Sequence, residues 1–178
     1  MNYQTLPVSH ARSLRRSFIE RFVDKRRDCY RAVMCHGDSY GASAHKKSLW
    51  EAFSGYNIIS RKAALALLST MPEVYLTWDA SPANISRNLQ KSRLIKLSGK
   101  DLSAVLSSNE YRSENVFCTE DIYVFTPDLS QHITFTHEYV KGYGHICLTS
   151  ISSVSDPYIS PAFRELFNEM CASRCGAN

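Results

Sequence analysis

Hydrophobic positions along this chain change period twice, and each change marks a change of element. Leu14, Phe18, Phe22, Val23 and Val33 fall on or near one side of a helix, and that spacing predicts a helix over 9–34. Ser9 is its expected N-cap. Residues 35–44 are polar and carry Gly37 and Gly41, which predicts a loop. A second helix is expected over 45–54, with Leu49, Trp50 and Phe53 inward and Gly55 ending it. Ser60 then caps a third over 61–69, whose body is almost wholly apolar.

Beyond Pro72 the period shortens. Val74, Leu76 and Trp78 alternate with Tyr75 and Thr77, as a strand requires. Ser81-Pro82 starts a helix expected to reach about Lys91, because a capping hydroxyl precedes a proline whose missing N–H has no role there. A short strand over 93–97 and a helix over about 101–107, turned in by Gly99, follow, and 108–119 is polar and unpatterned. Three runs rich in β-branched and aromatic residues, 122–125, 133–140 and 145–148, are separated by Pro127-Asp128 and by Lys141-Gly142-Tyr143-Gly144. Connections this short predict an antiparallel meander over 121–150. Ser160-Pro161 opens a last helix over 160–175, with Phe163, Leu166, Phe167 and Met170 as its apolar face. The expected fold is a single α+β domain over 1–178. N-terminal helices pack on a small, mainly antiparallel sheet that a C-terminal helix closes.

Composition agrees with one globular unit: 178 residues, 44% hydrophobic and 11% aromatic, with only seven glycines and six prolines. The N-terminal residues contain no apolar run before Arg12, Arg15 and Arg16, so no secretory leader is expected. No segment is apolar enough to span a bilayer, which predicts no membrane association. Six scattered cysteines read as reduced thiols in a cytoplasm rather than a disulfide framework.

Charge changes the picture more. The net +4 is uneven: residues 1–31 hold eight Lys or Arg against three Asp or Glu, whereas the remainder holds thirteen against fourteen. The positive excess lies on the first predicted helix. Arg12, Arg15, Arg16, Lys25, Arg26 and Arg27 are candidate contacts for an acidic protein partner, or for phosphates of a nucleic acid. No aromatic residues interleave with them as a stacking platform requires.

Motifs for catalysis are sparse. There is no glycine-rich phosphate loop and no nucleophile elbow. Cys171 and Cys175 lie one helical turn apart, but adjacent Cys35-His36 makes a poor second pair, so no metal and no cofactor are expected. In strand 133–140, alternation places His132, Thr134, Thr136 and Glu138 on a polar face, and Ile133, Phe135, His137 and Tyr139 on an apolar one. His137 and Glu138 should therefore point apart, unable to act as a pair. No catalytic residue is assigned; a small hydrolase using His137 would need a nucleophile within reach.

Leu49-Trp50-Glu51-Ala52-Phe53-Ser54, the Ala-rich helix from Ser60, the strand Asp121-Ile122-Tyr123-Val124-Phe125 and the hairpin Phe135-Thr136-His137-Glu138 together resemble a group of small bacterial domains of unknown function. Their C-terminal hairpin carries an aromatic and then Thr-His-Glu, and they look like immunity proteins encoded beside toxins. The resemblance implies a non-catalytic protein that neutralises a cognate toxin by occluding its active site. Thr134, Thr136 and Glu138 on the polar sheet face then join the basic helix as expected contacts. The alternatives are a nucleic-acid-binding protein using the basic helix and the hydrolase using His137.

Overall fold

The computed structural model describes residues 2–26, 48–78, 94–108 and 121–176, with backbone alone for 174–176. Its centre is a seven-stranded antiparallel sheet in the order β1-β4-β3-β5-β6-β7-β2. The strands are β1 (Tyr3–Thr5), β2 (Asn57–Ser60), β3 (Val74–Trp78), β4 (Leu94–Leu97), β5 (Ile122–Phe125), β6 (His132–Val140) and β7 (Gly144–Thr149). Among the described residues four helices accompany them: α1 (Val8–Phe22), α2 (Arg61–Ser69), α3 (Gly99–Ser107) and α4 (Pro161–Gly176). The α+β class and the β5-β6-β7 meander are as expected. The sheet is larger than expected because two edge strands, β1 and β2, carry no period long enough to read.

Both faces of the sheet are covered. One core joins Phe18 and Phe22 of α1, Trp50, Phe53, Tyr123, Phe125, Leu148, and Phe163 and Phe167 of α4. The other joins Leu68 of α2, Leu102 and Leu106 of α3, Leu76, Val124, Ile133 and Cys147. Central strands are therefore buried throughout: all five residues of β3 and all four of β5. The alternation in β3 separates two cores rather than core from water.

Local caps behave as the sequence requires. Ser60 Oγ accepts the Ala63 N–H and Ser160 Oγ accepts the Phe163 N–H, each opening its helix. Asp156 completes the α2 cap from a distance by accepting the Ser60 N–H at 2.6 Å, the bond a glutamate three residues into the helix would otherwise supply.

Expectations for three helices change. Pro7, not Ser9, precedes α1, and the Ala11 N–H bonds to the Pro7 carbonyl. α1 stops at Phe22, not near residue 34, because Val23 is extended and bridges Phe53. The Asp24 and Ser54 N–H groups bond across to the Ala52 and Phe22 carbonyls. Strand-like pairing thus replaces the next helical turn. Of the helix expected over 45–54, the described part from Ser48 holds a 3-10 turn at Leu49–Ala52, though Leu49, Trp50 and Phe53 are buried as expected. On α4, Leu166 is 62% exposed, and Cys171 joins Phe163 and Phe167 in its place. The helix expected over 82–91, the loop over 108–119 beyond Ser108, and Arg27 with the rest of 27–34 lie outside the described residues.

Candidate functional site

The Thr-His-Glu segment sits on an irregularity in β6. Phe135 is opposite Cys147 and Tyr139 is opposite His145, so three residues of β6 stand against one of β7. Such a bulge carries two extra residues and frees backbone groups from the ladder. Asp121, immediately before β5, uses this freedom. Its Oδ1 accepts the His137 backbone N–H at 2.8 Å and lies 2.9 Å from His137 Nδ1, and Trp50 Nε1–H donates to its Oδ2 at 3.0 Å. The Asp121 carboxylate is buried, whereas the His137 side chain is half exposed.

Alternation would send His137 and Glu138 apart. The bulge brings them together instead, with His137 Nε2 3.4 Å from Glu138 Oε1, which corrects the expectation that they cannot form a pair. Hydrogen bonds from the ring to Asp121 and to Glu138 hold its pKa up at about 10, against a smaller opposing effect of burial. At neutral pH the ring is then an imidazolium. It can donate two hydrogen bonds or a positive charge, but it is already protonated and cannot serve as a general base. Among the described residues no group of three or more His, Cys, Asp or Glu is arranged to hold a metal ion.

The expected polar face of β6 does not face water. His132, Thr134 and Thr136 are all buried, because their side of the sheet carries the core that α1, residues 49–53 and α4 build. Thr136 Oγ1–H donates to the Ile146 carbonyl at 2.7 Å, so this hydroxyl serves the bulge. Thr134 and Thr136 are thereby removed as partner contacts, while Glu138 stays partly accessible beside His137.

Comparison with known protein families, with curated proteins and with solved structures finds no match. The sites stand on their own geometry.

Basic residues flank the outer side of α1, Arg12 and Arg16 on one edge and Arg21 on the other, with exposed Glu20 between them. Arg12, Arg16 and Arg21 are exposed and Arg15 is partly so, while Ala11, Phe18, Ile19 and Phe22 seal the core. Lys25 and Arg26 do not extend this helix. They lie in a turn after it, where Arg26 Nε–H and Nη2–H donate to the two oxygens of Asp24 at 3.0 and 3.1 Å. That pair is exposed and holds the turn's geometry more than it stabilises the fold.

Two cysteines can be placed. Cys147 is buried in β7, and burial pushes its thiol up to about 12, so it is inert as a nucleophile. Cys171 is buried against the α1 side of the sheet. No described helix is long and apolar enough to cross a membrane.

Sequence reasoning missed Asp121 and Trp50 as members of the His137 cluster. Asp121 carried one legible signal, a charged residue directly abutting an otherwise apolar strand.

Proposed function

We propose that this chain is a non-catalytic protein-binding domain, an immunity protein that neutralises a cognate bacterial toxin by occluding its active site. The observation that carries the reading is the division of α1. Its apolar residues seal the core, which leaves Arg12, Arg16 and Arg21 exposed, Arg12 and Arg16 one turn apart on one flank and Arg21 on the other, with exposed Glu20 between them. Exposed basic charge of this kind speeds encounter with an acidic surface. The resemblance of the Thr-His-Glu hairpin to small bacterial domains of unknown function, which look like immunity proteins, supports the same reading.

Two rivals fare less well. For nucleic acid, the α1 aromatics Phe18 and Phe22 point into the core, so no stacking platform accompanies the arginines. For a hydrolase, the Asp121–His137 pair would orient the ring, but two carboxylates keep that ring protonated.

Co-expression with the product of the adjacent reading frame tests the proposal. Growth protection and a stoichiometric complex are expected, both weakened when Arg12, Arg16 and Arg21 are changed together to Glu. Absence of both complex and protection overturns it. Salt-sensitive binding of labelled DNA or RNA oligonucleotides, lost in the same variant, would establish the nucleic-acid reading instead.

A further inference from the structure

His132 stands on the face of β6 that α1 covers, and three aromatic rings enclose it. The ring centroids of Phe22, Phe53 and Phe18 lie 4.6, 4.9 and 6.0 Å from its own, each crossing it edge-on. The residue is fully buried. Its backbone is satisfied: the N–H donates to Ser150 Oγ, and the carbonyl accepts from Thr149 Oγ1. The ring is not. Nδ1 lies 3.4 Å from Thr134 Oγ1, a long contact, and Nε2 has no hydrogen-bond partner among the described residues.

The elements around the ring bring it no compensating charge. α1 turns Phe18 and Phe22 towards it and leaves Glu20 and Arg21 exposed. The segment after the 3-10 turn brings Phe53, and buried Glu51 precedes it. From β5 come Phe125, the register partner of His132, and Tyr123 two pairs further along. From β7 come Thr149 and, just beyond it, Ser150. Burial alone therefore acts on the ring, and it pushes the pKa down to about 3. A proton can reach Nε2 only with water, and water reaches it only when the phenylalanines lift.

We propose that His132 is an acid-sensitive latch, whose protonation unseats α1 and residues 48–53 from the sheet while the α2–α3 layer stays docked. The α2–α3 core, with Leu68, Leu102, Leu106 and Ile133, lies on the opposite sheet face and is not exposed by that opening. The sign follows from the unequal affinities for the proton. Above about pH 6.5 the ring is neutral open or closed, and below it only the open form takes the proton, so opening rises about tenfold per pH unit. The latch does not depend on what α1 docks.

Hydrogen exchange on the full chain at pH 7 and 4.5, corrected for intrinsic rates, tests it. Opening of 8–22 and 48–53 should rise about a hundredfold, while 61–69 and 99–107 keep their protection. His132→Leu, and His132→Gln should Leu fail to fold, should abolish that rise. Uniform loss of protection across all four segments overturns the latch. So does an unchanged rise in the variants, which would assign the effect to a carboxylate such as Asp156.

Discussion

Asp121 binds His137 twice through one oxygen, accepting its backbone N–H at 2.8 Å and facing its ring Nδ1 at 2.9 Å. A single carboxylate thus fixes both the bulge and the rotamer of the histidine that the bulge presents. Since Trp50 donates to the other oxygen, the same group also ties the 3-10 turn to the sheet. Asp121→Asn must set an amide N–H against one of these donors. It should lower stability by about 1–3 kcal/mol in urea denaturation, since a buried donor is left unsatisfied. The His137 ring should then titrate at lower pH by NMR.

His137 gives the fold an alkaline limb. Its folded pKa of about 10 lies above the ordinary value near 6.5. The stabilisation is therefore fully present below about pH 6.5 and is lost as pH rises towards 10. Half exposure of the side chain screens part of it. Wild type should lose stability over that window, and His137→Gln should lose less. NMR should show no His137 titration between about pH 5 and 8.

Asp156 gives an acid limb of its own. Burial opposes its ionisation, but hydrogen bonds from Ser60 and the Tyr158 N–H, with Arg164 nearby, bring its carboxyl below the ordinary range. The stabilisation is present above about pH 4 and is lost as pH falls through the carboxylate range. Asp156→Ala should cost about 1–2 kcal/mol, as loss of a helix cap does. The loss should shrink as pH falls below about 4, measured by urea denaturation at each pH.

Gly99 begins α3 where no side chain fits. A Cβ there would lie 2.3 Å from the Leu68 carbonyl oxygen and 2.6 Å from that of Met71. Both neighbours are backbone, and the Gly99 N–H already bonds to the Met71 carbonyl at 3.1 Å. Gly99→Ala should therefore lower stability by at least about 1–3 kcal/mol, the cost of overpacking a close contact. Thermal or chemical unfolding checks it, and an unchanged midpoint would refute the close approach.

Local chemistry determined a large part of this protein. The hydroxyls of Ser60 and Ser160, the β-branched runs of β5 to β7 and the glycine-containing turn at 141–144 act within about four residues, where periodicity and capping are decided. Those elements could be read directly. Tertiary structure decided the rest, because the controlling partners are distant in sequence. α1 ends where Val23 meets Phe53. His137 and Glu138 face each other because Asp121, sixteen residues away, holds the bulge open. Thr134 and Thr136 are buried because α1, residues 49–53 and α4 build a core on their side of the sheet. Charge along the first helix was legible as composition. Which of its residues reach solvent depended on where the aromatic core took hold.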